Sequence, residues 1–138
     1  MSLIIGRYPM LVNKQGRILK LLKIYKNNIA NCEIYISEVR PGIEKGWNFH
    51  KKYKCNFFLI SGSVIIKICK NYKNSKIKVI HLSMNRNNKL VLPSKTWFSF
   101  KSSSKTQSAK ILNFLSGIHS KKETLKKDIK NFKHPFNL

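Results

Sequence analysis

Acidic side chains are what this sequence has least of. Five Asp and Glu stand against 28 Lys and Arg, a formal charge of +23 over 138 residues. Arginine is scarce too, since 24 of the 28 cations are Lys and only Arg7, Arg17, Arg40 and Arg86 are Arg. Cysteine is limited to Cys32, Cys55 and Cys69, too few and odd in number for a disulfide framework, and no Cys-x-x-Cys pair offers a metal knuckle. A reducing, cytoplasmic compartment is expected. Arg7 and Pro9 interrupt the apolar start at Leu3, Ile4 and Ile5, which argues against a signal peptide. No apolar run reaches the ~20 residues that span a bilayer, so a soluble chain without membrane contact is expected.

What is present is enough apolar residue for a core, 42% of the chain, which argues against disorder despite the charge. The positive balance would attract any polyanion, nucleic acid first. Two features point away from a selected nucleic-acid surface. Arg, the better fork for phosphates and base edges, is rare, and the Lys residues run through the whole chain instead of one tail or helix. Lys, Asn and Ile together make 55 residues and share A/T-rich codons, so an A/T-biased genome accounts for the excess without a ligand. Nucleic-acid binding stays open as an alternative but is not favoured.

Along the chain, short apolar segments alternate with turn signals. Arg17–Tyr25 ends at Asn27-Asn28. Cys32, Ile34 and Ile36 alternate with Glu33, Tyr35 and Ser37, the period of a half-buried strand. Arg40-Pro41-Gly42 reads as a turn. Phe57–Ile60 and Val64–Cys69 flank Ser61-Gly62-Ser63, which predicts a tight hairpin. After a polar loop at 71–75, Ile77–Leu82 alternates again. A turn at Asn85–Asn88, strands at Leu90–Leu92 and Thr96–Phe100, a loop at Ser102–Ser108 and a strand at Ala109–Phe114 follow. Ser120-Lys121-Lys122-Glu123 has capping-box spacing, with Leu125 and Ile129 four residues apart, and His134-Pro135 stops it, predicting a short C-terminal helix. Eight or nine strands and one helix make an all-β sandwich or barrel. Residues 1–138 form one domain, with a core at about 17–115 and a helical tail at about 119–138.

Asn48-x-His50, four residues, Cys55, six residues and Gly62 have the spacing of the first cupin motif, whose ligand positions are normally His, His and Glu. Pro93-Ser94-Lys95-Thr96-Trp97-Phe98 occupies the frame of the second, Pro-x-Gly-x-x-His. Of four ligand positions only His50 is kept, with Asn48, Cys55 and Phe98 in the others. One imidazole and one thiol do not close a divalent-metal site, so no metal and no cofactor are expected.

Lys45-Gly46-Trp47-Asn48-Phe49-His50, Asn56-Phe57-Phe58-Leu59-Ile60-Ser61-Gly62 and Leu92–Phe100 resemble the dTDP-4-dehydrorhamnose 3,5-epimerase family, most of all its short epimerase-like members among the sugar-nucleotide cupins. The resemblance runs over about residues 30–136, with 128–136 similar to the family's closing stretch. It implies an all-β cupin-type jelly-roll barrel, a nucleotide-sugar ligand with a dTDP-4-keto-6-deoxy sugar, a homodimer and proton chemistry next to the ketone. That chemistry uses a His base, a Lys that steadies the enolate and a Tyr acid. Here the base position holds Asn48, the Lys position falls near Cys55, and the Tyr position falls near Gly117–His119.

The candidate catalytic residues are therefore His50, Asn48 and His119. Lys45, Trp47, Cys55, Phe57, Trp97 and Phe98 are the candidate substrate contacts. His50 and Asn48 are two residues apart on one strand and share a face. Against these roles stand plainer ones: a hydrogen-bonded His, a surface-loop His119, a buried Cys55 thiol and aromatic core packing. Three readings remain: an isomerase or epimerase with altered catalytic residues, which is favoured, a non-catalytic cupin module binding a nucleotide sugar or a protein, and polyanion or nucleic-acid binding through the Lys surface.

Overall fold

A computed structural model describes residues 3–14, 16–22, 32–71, 73 and 76–128. Twelve strands run through them in chain order: β1 Ile4–Gly6, β2 Met10–Asn13, β3 Gly16–Leu19, β4 Glu33–Val39, β5 Glu44–His50, β6 Cys55–Ser61, β7 Ser63–Cys69, β8 Lys78–Ser83, β9 Lys89–Leu92, β10 Trp97–Ser102, β11 Ala109–Leu115 and β12 Thr124–Lys126. Two five-stranded antiparallel sheets carry the fold. The first has the order β1-β9-β6-β11-β4 and the second β12-β5-β10-β7-β8, while β2 and β3 form a separate hairpin.

Alternation places one face of each strand between the sheets. Leu59, Leu90, Leu92 and Ile111 of the first sheet and Val64, Ile66, Ile80, Leu82, Phe98 and Phe100 of the second join one buried cluster. A second cluster, Trp47, Cys69 and Trp97, lies on the outer face of the second sheet. Lys67, only 2% exposed, shares that face and pairs with Glu44 at 3.1 Å. Burial pulls the Lys67 ammonium below its ordinary pKa, and the Glu44 contact opposes that shift.

Three expectations need correction. The segment Ser61-Gly62-Ser63 is not a hairpin, because β6 pairs with β9 and β11 in the first sheet while β7 pairs with β8 and β10 in the second. It is a corner between layers. Gly62 takes φ +77° there, and a Cβ on it would lie 2.7 Å from the Ser108 carbonyl oxygen. The flanking strands are apolar on both faces because they are central strands, a pattern that mimics two halves of a hairpin.

The predicted C-terminal helix is absent over 120–126. Ser120 does bond Glu123 in capping fashion, its Oγ and its carbonyl both accepting the Glu123 N–H at 3.2 Å. That turn feeds β12, which pairs antiparallel with β5, because the open β5 edge outcompetes a helix of so few residues. Ile129 and His134-Pro135 lie outside the described residues, as does the Asn27-Asn28 break.

The apolar phase of β4 faces outward. Ile34 and Ile36 are each 60% exposed, while Tyr35 and Ser37 line the open cavity on the other face, Tyr35 at 36% exposure.

Candidate active site

The inward face of β5 is reset by a bulge. Phe98 pairs with Asn48 and Ser99 with Gly46, so Trp47 is an extra residue in the ladder. Gly46 takes φ +134° at this point, and a Cβ would fall 2.9 Å from the Phe98 carbonyl oxygen and the Ser99 Cα. The extra residue changes the parity of the strand, so Lys45 joins Asn48 and His50 on the inner face. Together they line a cavity of about 570 Å³ between the β4–β11 side of the first sheet and the β12–β5–β10 side of the second, within the range of small-molecule sites.

His50 is 3% exposed and Glu123 7%. The Nδ1–H of His50 donates to Glu123 Oε2 at 2.7 Å, which is required because an ionised carboxylate only accepts. Nε2 is then the ring nitrogen left to take a proton. Glu123 is fixed in turn by the backbone N–H groups of Lys52 (3.0 Å) and Tyr53 (3.2 Å) and by the Thr124 hydroxyl (3.1 Å). Burial alone would raise its pKa. The His50 bond and the two backbone donors outweigh burial and hold the carboxyl below its usual range. An imidazole anchored in this way has one tautomer and one orientation, the condition for a general base.

The opposite wall comes from β4 and β11. The Asn113 amide donates to Tyr35 Oη at 2.9 Å, and its Oδ1 accepts the Asn56 N–H at 3.2 Å. Burial pushes the Tyr35 phenol above its ordinary pKa, and the Asn113 bond opposes that shift. Tyr35 thus keeps its proton and accepts through one lone pair, leaving its own O–H for a ligand. Lys45 Nζ donates to Ser37 Oγ (2.6 Å) and to the Glu38 carbonyl (3.2 Å), joining the two walls at the rim. Arg40 and Lys126 add positive charge to the lining, Arg40 lying 3.6 Å from Glu38 in an exposed pair. Phe57, Phe98 and Phe100 form an apolar floor with ring centroids 5.0–5.4 Å apart. A cationic rim, hydrogen-bonding walls and an apolar floor suit an anionic ligand that carries both polar groups and an apolar face.

Of the residues singled out from sequence, His50, Asn48, His119, Lys45, Phe57 and Phe98 line this cavity together. The other three stand apart. Trp47 and Trp97 pack with Cys69 on the far face of the second sheet. Cys55 is 1% exposed in the main core, where burial pushes its thiol up to about 12, so it is a neutral thiol at any working pH. Tyr35, Asn113 and Glu123 also belong to the site, though the sequence marks Tyr35 only as part of a strand and Glu123 only as part of a cap. Scarcity was the available signal for Glu123: with five acids in the chain, one placed in a buried position has few accidental explanations. Among the described residues, no three His, Cys, Asp or Glu side chains converge as a metal site would need.

No family model matches the chain. No curated protein sequence matches it either. Solved structures do. A dTDP sugar isomerase from Desulfovibrio desulfuricans G20 superposes with a TM-score of 0.82 at 19% identity, covering 97% of this chain and 90% of that one. A 3,4-ketoisomerase from Helicobacter canadensis gives 0.68 at 20% identity, with 91% and 90% covered. The dTDP-6-deoxy-D-glucose-3,5-epimerase from Legionella pneumophila, solved in complex with dTDP-4-keto-L-rhamnose, gives 0.71 at 8% identity, with 99% and 85% covered. The all-β cupin fold expected from the sequence motifs is therefore the fold of the chain, and it is the fold shared by dTDP-sugar isomerases and epimerases.

Proposed function

We propose that this protein is a sugar-nucleotide isomerase that removes a proton next to the ketone of a dTDP-4-keto-6-deoxy sugar, with His50 as the base. The His50–Glu123 pair on the wall of a basic-rimmed cavity carries this reading. Asn48 stands at the position where the epimerase family has its base, and its amide takes no proton at working pH. A base two residues further along the same inward face still reaches the same cavity. Among the chemistries of the structural neighbours, a carbonyl shift along the ring therefore fits better than the double epimerisation. Asn48 and Tyr35 serve as hydrogen-bond donors to sugar oxygens. Lys45, Arg40 and Lys126 meet the diphosphate, Lys45 as a point charge.

Two further elements belong to this proposal. The protein forms a homodimer through the outer face of the first sheet, supported by exposed Ile34 and Ile36 on β4 and by the edge position of that strand among the described residues. It works in the cytoplasm, supported by three free thiols.

The test is incubation with dTDP-4-keto-6-deoxyglucose in D2O, followed by NMR. Deuterium is expected at the carbon beside the ketone, and His50→Asn should slow its entry by about 10²–10⁴-fold. Asn keeps a donor for Glu123, so the fold should persist. A ligand-induced rise in melting temperature without exchange would instead mark a non-catalytic module. No response to dTDP, with a salt-sensitive response to duplex DNA, would overturn the proposal in favour of polyanion binding.

A further inference from the structure

Resting on that reading, we infer that His119 is the second proton carrier of the site, moving the hydroxyl proton between the two oxygens while His50 handles the carbon proton. Two imidazoles face one cavity. The His119 ring lies edge-on to the His50 ring, at 83° and 6.3 Å between centroids. Neighbouring sugar carbons are about 1.5 Å apart, so both rings can serve a single vicinal pair.

His119 is an exposed residue, yet its loop is fixed on both sides. The Ser116 N–H donates to the Lys54 carbonyl at 3.1 Å, and the Lys54 N–H returns a bond to Ser116 Oγ at 2.8 Å. The His119 N–H donates to Glu33 Oε2 at 3.3 Å, and Ser120 opens the turn that carries Glu123. The two imidazoles are thereby held through adjoining pieces of backbone.

The chemistry explains why a second carrier is needed. His50 Nε2 takes the proton from C3, and the C–H electrons become the C3=C4 double bond as the C4 carbonyl becomes an enolate oxygen. His119 then accepts the proton of the C3 hydroxyl and delivers one to the C4 oxygen. The C3 oxygen lone pair closes to a carbonyl, and the double-bond electrons take the proton back from His50 at C4. C3 is oxidised, C4 is reduced by the same two electrons, and no outside reagent enters. The carrier must both give and take protons near neutral pH, which suits an imidazole. Tyr35, with its phenol held above its ordinary range, is suited to donating a hydrogen bond to the enolate. The charged groups around His119 are Glu33 at its backbone and Arg40, Lys45 and Lys126 in the cavity lining, together with His50.

The two steps separate in one experiment. In D2O with dTDP-4-keto-6-deoxyglucose, deuterium entry at C3 reports the carbon step, and the 3-keto isomer reports the completed shift. His119→Gln should retain exchange while losing about 10²-fold or more of isomer formation. Tyr35→Phe should slow both together. Unchanged isomer formation in His119→Gln overturns the inference. Parallel loss of both signals in His119→Gln, with its melting response to dTDP intact, overturns it too, as does uncoupling in Tyr35→Phe alone. Absence of both signals in the unaltered protein would fail the underlying isomerase reading itself.

Discussion

The two halves of the sandwich interior use the same architecture for opposite ends. Where β9 and β6 face β7 and β8, the interior is Leu59, Leu90, Leu92, Val64, Ile66, Ile80 and Leu82, all buried and apolar. Where β4 and β11 face β5 and β12, it holds Tyr35, Ser37, Asn113, Asn48, His50 and Thr124 around a cavity. The polar half is tolerable because its buried groups are partnered: His50 by Glu123, Glu123 by two backbone N–H groups, Asn113 by Tyr35 and Asn56. Stability is concentrated in one half, which frees the other to hold a buried His–Glu pair and an open space.

The largest effect that tests this division is a cavity cut into the apolar half. Leu59 is fully buried, and Leu59→Ala should cost about 2–5 kcal/mol of unfolding free energy. Denaturant titration measures the loss, and the melting-temperature rise on adding dTDP should survive, because the proposed function puts dTDP in the other half. Loss of the dTDP response at a temperature where the variant is folded would show that the halves are not separable.

Glu123→Gln probes the polar half. The Glu123 carboxyl sits below its usual range in the folded chain, while the unfolded value is about 4.3. Its stabilisation is therefore fully present above the unfolded value and is lost as pH falls through the lower folded one. The unaltered protein should lose stability on acidification in that window, and Glu123→Gln should be weaker at pH 7 with a flatter acid limb. With only five Asp and Glu side chains in the sequence, one titration stands out instead of being lost among many. Superimposable pH profiles would mean that the pair with His50 contributes no stability.

Much of the frame was legible in the sequence because it rests on local patterns. The strand alternation, the turn at Asn85–Asn88 and the spacing from Asn48 to Gly62 all survive in the fold. The corner at Gly62 was not legible, since a Gly between two apolar strands has the same local signature whether the chain folds back or changes layers. Only pairing with β9 and β10, distant in sequence, decides it. Half of the site was hidden for the same reason. Glu123 lies 73 residues from His50, in a segment whose capping spacing is real but serves a turn. Tyr35 sat in the polar phase of β4, which the usual inside-apolar rule assigns to solvent. The cavity reverses that rule by offering open space and polar partners inside.

The same reversal leaves Ile34 and Ile36 outside, and that gives the smallest and sharpest test. Tyr8 covers Phe58 on this outer face, their rings 6.0 Å apart, whereas Ile34 and Ile36 stay 60% exposed, Ile34 in a shallow groove with Leu22. Burying each Ile against a second copy would contribute about 1 kcal/mol or more. A charge of +23 on each copy opposes that association, so the dimer should tighten as salt screens the repulsion. Sedimentation velocity at low and moderate salt should show a monomer–dimer equilibrium moving toward dimer, and Ile36→Lys should be monomeric at both. Because Tyr35 and Ser37 occupy the other face of the same strand, deuterium exchange in the keto sugar should also become concentration-dependent in the unaltered protein. A monomer at every salt concentration would remove the second copy from the proposal and leave β4 as a wall whose apolar face is simply exposed.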